Sequence, residues 1–257
     1  MECGIVVCAS QPPSVVVLDY FGEPVQGKDV VQFRLLYSGR VLGSSRSGSD
    51  RTALKHEIRR TFHPQLRRLW KTNHNLRDIQ FLEYHNHFFK GLEKLTSEES
   101  SKALKEYEIA KKQNAESMIQ LGQELMAKRW NRCGLNFIPL VTERIALRCS
   151  LDILFLRPEE EGMIIQGGDI DNRIKTVFDA LRMPKSLDEI GHSGPQEDED
   201  PFYCLLEDDS LISEVRVTTD QLLLLPHERD LKPNDAFLVI KVDVKPIVYS
   251  MEGLRFI

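Results

Sequence analysis

The sequence has few cysteines, no long apolar run and no Walker-type phosphate loop. Its cysteines are odd in number, widely spaced and without a Cys-x-x-Cys pair: Cys3, Cys8, Cys133, Cys149 and Cys204. This pattern argues against a disulfide framework and against a zinc site. No run of eighteen apolar residues is present, and residues 1–17 lack the basic start and apolar core of a secretory signal. We therefore expect no membrane span and a cytoplasmic protein.

An excess of positive charge is also missing. The formal net charge is −5, which argues against a protein that coats DNA over its whole surface, because non-specific affinity comes from Lys and Arg at phosphates. The charge is nevertheless segregated. Residues 46–71 are strongly basic, whereas residues 188–209 contain many acids and no Lys or Arg.

The basic region predicts a helix over residues 51–62, with Leu54, Ile58 and Phe62 facing inward. We expect Pro64 to interrupt this helix, which then resumes. The outward face is a candidate phosphate-binding surface. Its predicted DNA-binding residues are Lys55, Arg59, Arg60, Arg67, Arg68 and Lys71. The alternative is an ordinary solvated helix face.

Two further segments have local signals. Thr96 and Glu99 form a capping box at the start of a long, largely exposed helix that extends to Arg129. His85 and His87 would share a face only in a strand, so we interpret them as packing or surface residues rather than metal ligands.

The helix predicted to start at Asp169 has the clearest functional pattern. Two glycines precede Asp169, which is a good N-cap, and apolar residues then recur at helical spacing. Asp171, Lys175 and Asp179 are each four residues apart and project from a common face. Carboxylates near a helix N-terminus are favoured by the helix dipole, so this face could hold a divalent cation.

A second acidic group, Glu207, Asp208 and Asp209, comes directly before residues 210–217, whose alternation predicts a half-buried strand. The end of a strand can direct these carboxylates back towards the helix. Mg²⁺ is usually held by one or two carboxylates together with water and substrate phosphate. Two acidic groups with a lysine nearby are therefore typical of Mg²⁺-dependent phosphodiester hydrolysis.

At these residues the sequence resembles the RusA-like Holliday-junction resolvase family, most clearly over residues 145–219. That family carries Asp-x-Asp-Asn-x-x-Lys at the start of a helix and a later Asp-Asp that leads into a strand. The matching residues are Asp169, Asp171, Asn172, Lys175, Asp208 and Asp209. The resemblance implies catalytic roles for Asp169, Asp171, Lys175 and Asp209. We expect Asp169, Asp171 and Asp209 to bind Mg²⁺, with Mn²⁺ as a substitute, and Asp208 to be a further ligand or an orienting group. Asn172 is expected to orient a carboxylate or phosphate.

The resemblance also implies an α/β fold, in which a small mixed β-sheet packs against helices, and a homodimer that binds branched DNA. We assign residues 1–45 to the N-terminal strands, 46–132 to a basic helical insertion and 133–257 to the catalytic core, with an acidic loop at 185–201. The expected function is Mg²⁺-dependent, structure-selective cleavage of Holliday junctions or related branched DNA. The alternatives are a nucleic-acid-binding or assembly protein that keeps the fold with altered catalysis, and a nuclease that acts on other DNA.

Each part of the motif also has a simpler structural interpretation. Asp169 can be an N-cap alone, Asp171 and Lys175 an ion pair within one helix, and Asp208 and Asp209 turn residues. The acidic loop can be a lid, a DNA mimic that restrains the basic region, or a disordered insertion. The combined spacing of the motif favours the metal site.

Overall fold

The computed structural model describes residues 31–43, 48–132, 134–158, 170–190, 198–223 and 234–246. These ranges form a mixed α/β structure, which confirms the predicted class. The strands are β1 (Gln32–Arg40), β2 (Asn131–Arg132), β3 (Leu135–Val141), β4 (Leu147–Arg157), β5 (Phe202–Leu206), β6 (Ile212–Gln221) and β7 (Asp235–Pro246). The α-helices are α1 (Gly48–Thr72), α2 (His74–Leu92), α3 (Ser97–Gln113), α4 (Ala115–Arg129) and α5 (Ile170–Leu181).

The larger sheet has the strand order β1-β7-β4-β6. β7 is antiparallel to both β1 and β4, while β4 and β6 are parallel. A smaller sheet contains β2, β3 and β5, in which β3 and β5 are parallel. The side chains of β4 alternate between buried and half-buried, so that one face of this strand lies in the core.

Helix α1 packs against β1, β5 and α5. Its inward residues include Ile58, Phe62 and Leu66, each at most 1% exposed. The predicted interruption at Pro64 is wrong, because α1 is continuous through it. A proline inside a helix removes one backbone donor and crowds the preceding turn. Here apolar residues on both sides of Pro64 are buried in the same core, and this packing stabilises the uninterrupted helix.

The two edges of the larger sheet differ. At the β1 edge, the Leu36 amide donates to the Gln65 side chain over 2.9 Å, and the Gln65 amide group donates back to the Leu36 carbonyl over 2.7 Å. Gln65 therefore replaces one residue of a neighbouring strand. At the opposite edge, β4 is the only described strand that pairs with β6.

The other helices extend from this body. α2 and α4 pack closely, because Gly122 lies directly against the backbone carbonyl of Gln80 and leaves no space for a Cβ atom. Glu83 forms ion pairs with Arg129 of α4 and with Arg144, which precedes β4. These ion pairs connect the helical extension to the larger sheet. Among the helices of the described ranges, none has the length and apolarity needed to cross a bilayer.

The predicted capping box of Thr96 and Glu99 is confirmed at the start of α3. The predicted single helix up to Arg129 is wrong, because it divides at Asn114 into α3 and α4. The Asn114 side chain caps α4 by accepting from the Ser117 amide over 3.2 Å. His85 lies in α2, with Nδ1 2.7 Å from the Tyr107 hydroxyl of α3.

Candidate functional site

Helix α5 carries most of the predicted catalytic motif. Asp169 and the two glycines before it lie outside the described residues, and α5 begins at Ile170. Asp171 and Lys175 are exposed, and Asn172 is half-buried. The other side of α5 is buried in the core, as the apolar spacing predicted. The helix therefore presents two residues of the motif to solvent from a fixed support.

The first turns of α5 are held by side chains that sequence analysis did not identify. Arg173 is only 1% exposed and lies 4.9 Å over the ring of Phe155. Its guanidinium donates to the carbonyls of Val41 over 2.9 Å and of Asn234 over 3.0 Å. The buried Thr176 hydroxyl donates to the Leu42 carbonyl over 2.9 Å. These hydrogen bonds fix the orientation of the helix face that carries Asp171 and Lys175.

Asp171 and Lys175 do not form the ion pair that the simpler interpretation requires. Within the described part of the chain, neither residue is joined to an oppositely charged side chain. Asp171 lies in the first turn of α5, where the helix dipole favours negative charge. An exposed carboxylate that pairs with no described cation is available to a ligand cation.

The second acidic group connects β5 to β6. Asp208 and Asp209 follow β5, and the Asp208 side chain accepts from the Ser210 amide over 3.1 Å. The Lys185 ammonium lies 3.0 Å from a carboxylate oxygen of Asp208 and 3.8 Å from one of Asp209. The hydrogen bond from Ser210, followed by Lys185, holds the pKa of Asp208 well below its usual range. Asp208 is therefore ionised at neutral pH.

The acidic pair is connected to the C-terminal end of α5. The Met183 amide donates to the Leu206 carbonyl over 2.9 Å, and Arg182 forms a parallel bridge with Leu206. Within the described residues, no three His, Cys, Asp or Glu side chains are arranged to hold one metal ion. The described residues thus supply two separate acidic positions, one at Asp171 and one at Asp208 and Asp209.

The same end of α5 carries a buried charge network. Asp179 forms an ion pair with Lys55 of α1, and its other carboxylate oxygen lies 3.3 Å from Arg182. Arg182 also pairs with Glu189 over 3.0 Å. Burial acts to raise the pKa of Asp179, but the hydrogen bond and charge of Lys55 and the charge of Arg182 outweigh it and hold the pKa below its usual range.

The prediction that Arg59 faces outward is wrong. Arg59 is 2% exposed, and its guanidinium donates to the backbone carbonyls of Asp179, Arg182 and Glu189 over 2.9, 3.3 and 3.2 Å. The physical reason is that the last carbonyls of a helix have no partner within that helix. α1 packs where α5 ends, and the several donors of one arginine satisfy these carbonyls.

The remaining predicted DNA-binding residues divide between the two halves of α1. In the first half, Lys55 is paired with Asp179, and Arg60 lies 2.8 Å from the buried Glu199. In the second half, Arg68 and Lys71 are exposed and Arg67 is half-buried. Among the described residues, none of these last three has an ion-pair partner. The basic surface that remains available lies at the C-terminal end of α1.

The C-terminal part of the acidic loop, residues 198–201, contacts α1. Besides the ion pair of Glu199 with Arg60, the His63 ring lies with Nε2 3.1 Å from the Asp198 carbonyl. His63 Nδ1 accepts from the Tyr203 amide over 2.9 Å, so Nε2 is the nitrogen that donates. The described ends of the loop are thus packed against the protein. Residues 191–197 lie outside the described residues.

The arrangement has the chemistry of a Mg²⁺ site in part. Asp171 offers a hard oxygen ligand with no competing cation among the described residues, and Asp208 and Asp209 already attract one cation, the Lys185 ammonium. Lys175 can offset the negative charge of a phosphate. Sequence reasoning missed Lys185, because no spacing rule connects it to Asp208. No protein-family model, curated protein or solved structure matches this chain.

Proposed function

We propose that this protein is a Mg²⁺-dependent, structure-selective endodeoxyribonuclease that cuts Holliday junctions or related branched DNA. The observation that carries the proposal is the exposure of Asp171 and Lys175 on a helix that is otherwise deeply packed. Arg173 and Thr176 hold that helix from its buried side. A carboxylate and a lysine that are rigidly supported and unpaired with each other are ready to bind an ion and a phosphate.

The roles of the side chains follow from their chemistry. Asp171 with its sequence neighbour Asp169, and separately Asp208 with Asp209, would supply carboxylate ligands to Mg²⁺ or Mn²⁺, which needs only one or two of them in addition to water and phosphate. When bound, such an ion polarises the phosphate and lowers the pKa of the water that attacks it. Lys175 would offset the charge that develops on the phosphate oxygens as the ester bond breaks. Asn172 would orient a carboxylate or the phosphate.

DNA contacts would come from the second half of α1. Arg67, Arg68 and Lys71 are the predicted DNA-binding residues whose side chains are not used in ion pairs within the described protein. Cutting two strands of a four-way junction symmetrically requires two active sites, which a homodimer would supply. DNA and a second copy of the chain are therefore the proposed partners.

The first experiment is cleavage of a synthetic four-way junction with Mg²⁺, with Mn²⁺ and without metal, beside the matching linear duplex. We expect paired nicks from the wild type only when metal is present. Asp171→Asn should slow cleavage roughly 100-fold or more, since a metal site supplies several kcal/mol of transition-state stabilisation. Asp188→Asn is the matched control, because Asp188 is an exposed carboxylate outside the motif. Equal cleavage by wild type and Asp171→Asn would contradict the proposed site.

One observation favours a second candidate, a nucleic-acid-binding or assembly protein without turnover. The Lys185 ammonium already offsets one negative charge of the acidic pair, and Lys55 and Arg60 are used in internal ion pairs. This candidate predicts junction binding without cleavage in either metal, unchanged by Asp171→Asn. Metal-dependent cleavage of linear or single-stranded DNA in preference to the junction would instead identify a nuclease that acts on other DNA.

A further inference from the structure

Strand β6 is unusually exposed for a strand of ten residues. It forms one edge of the larger sheet, and β4 is its only partner among the described strands. Most of its side chains are exposed on both faces of the sheet. A bare edge presents unpaired backbone donors and acceptors that can pair with another strand.

The core face of the sheet continues onto β6, where the described part of the chain leaves it exposed. Val215 and Val217 are paired in register with Leu151 and Ile153 of β4, so all four project from the same face. Leu151 and Ile153 are at most 1% exposed, whereas Val215 is 43% and Val217 37% exposed. Apolar surface at the edge of a covered face favours a partner that extends this sheet.

The charges on β6 select a second copy of β6 as that partner. In an antiparallel pairing centred on Val215, Glu214 of one copy lies opposite Arg216 of the other, and the same pair recurs on the other side of the two-fold axis. Shifting the centre to Arg216 places two arginines opposite each other, and shifting it to Val217 places Glu214 opposite Asp220. Opposite charges across strands are stabilising and like charges are destabilising.

Both charged residues are available for such a pairing. Glu214 and Arg216 are exposed, and neither is paired with another charged side chain in the described part of the chain. They share the face opposite to Val215 and Val217, since side chains alternate along a strand. The register centred on Val215 therefore joins the charges on one face. On the other face it places Val215 opposite Val215 and each Val217 opposite Ser213.

We propose that β6 pairs antiparallel with β6 of a second copy of this chain, about a two-fold axis at Val215. The larger sheets of the two copies then form one continuous sheet of eight described strands, four from each copy. This pairing assigns a surface to the homodimer of the proposed function, but it does not depend on nuclease activity. It is tested by measuring the molecular mass of the protein in solution, without DNA or metal.

The test uses the full-length chain in analytical ultracentrifugation at micromolar concentrations. The wild type should sediment as a dimer. Glu214→Arg places Arg against Arg at both charge pairs, and Arg216→Glu places Glu against Glu. Each single variant should therefore dissociate, with a dimer dissociation constant raised roughly tenfold or more. Glu106→Arg, a charge reversal at an exposed position of α3, should leave the wild-type dimer unchanged.

The decisive sample is an equimolar mixture of Glu214→Arg and Arg216→Glu. Across the proposed axis, both charge pairs of this mixed dimer are again opposite in sign, so association should return. A monomeric wild type, single variants that dimerise as the wild type does, or a mixture that stays monomeric would each overturn the proposal. A monomeric wild type whose β6 amides are protected from hydrogen exchange would show instead that a segment of its own chain covers the edge. If the wild type is a dimer but does not cleave DNA, that result would count against the proposed nuclease function and not against the proposed dimer.

Discussion

The two ends of α5 use the same residue type in opposite ways. Asp171, in the first turn, is exposed and unpaired with any described cation. Asp179, two turns later, is buried and bridges Lys55 and Arg182. Both lie on one short helix, so their difference comes from what the rest of the chain packs around each end.

Helix α5 therefore carries one carboxylate that stabilises the fold, Asp179, and one that remains available to a ligand, Asp171. A buried carboxylate must be paired because its desolvation costs several kcal/mol, so the ion pairs of Asp179 keep α1 and α5 together. An exposed carboxylate contributes little to folding, so Asp171 is free to be kept for a ligand. Measurements of stability and of activity should therefore respond to opposite ends of the helix.

The largest effect on stability is expected for Asp179→Asn. Removing this charge leaves Lys55 and Arg182 largely buried beside a neutral side chain, which should lower the free energy of unfolding by about 3–5 kcal/mol. Urea denaturation followed by circular dichroism measures the loss. Asp171→Asn is the matched substitution and should change stability by less than about 0.5 kcal/mol. Equal losses of unfolding free energy from the two substitutions would show that the two ends of α5 do not differ in their contribution to stability.

The stabilisation by Asp179 should disappear in acid. The pKa of Asp179 in the folded protein lies below its ordinary value of 3.8. Its contribution is therefore complete above that value and is lost as the pH falls through it towards the folded pKa. The difference in unfolding free energy between wild type and Asp179→Asn should be constant between about pH 5 and 7 and should shrink below about pH 3.8. A difference that persists unchanged in acid would mean that the charge is not its cause.

Lys55 should behave as a structural residue and Arg68 as a surface residue, although both were predicted to bind DNA. Lys55→Met should lower the free energy of unfolding by about 1–3 kcal/mol, because it removes one partner from a buried carboxylate. Arg68→Gln should leave stability unchanged, weaken junction binding and reduce its salt dependence by about one unit in the slope. Unchanged binding by Arg68→Gln would exclude Arg68 from the DNA-binding surface.

The smallest effect is expected between Asp171 and Lys175. A double-mutant cycle with Asp171→Asn and Lys175→Gln should give a coupling energy below about 0.3 kcal/mol, since no ion pair joins them. The same cycle with Asp179→Asn and Lys55→Met should exceed about 1 kcal/mol. A large coupling between Asp171 and Lys175 would favour the interpretation of the motif as a simple helix ion pair.

Much of the fold could be predicted because it depends on local pattern. The apolar spacing of α5 and the capping box at Thr96 both appear in the structure. The short strand β5 was not predicted, since its five residues are all buried and give no alternation. Pro64 was misread because tertiary packing outweighed its local effect.

The site was predictable only in part, for a physical reason. The spacing of Asp171 and Lys175 places both on one helix face whatever surrounds them. The direction of Arg59, by contrast, depends on the unsatisfied carbonyls where α5 ends, and the pairing of Lys185 depends on how β5 meets that end. The Asp179 carbonyl of α5 is 120 residues from Arg59 in sequence. No local sequence pattern can therefore contain this contact.

The two hydrogen bonds between the Gln65 side chain and the Leu36 backbone bear on how many copies of the chain can associate through this sheet. A sheet with two bare edges can add chains at both and grow into a filament. Here the β1 edge is occupied at its middle by a side-chain amide from the same molecule. In the proposed dimer, pairing through β6 would use the other described edge of the larger sheet in each copy, which would close the assembly at two chains.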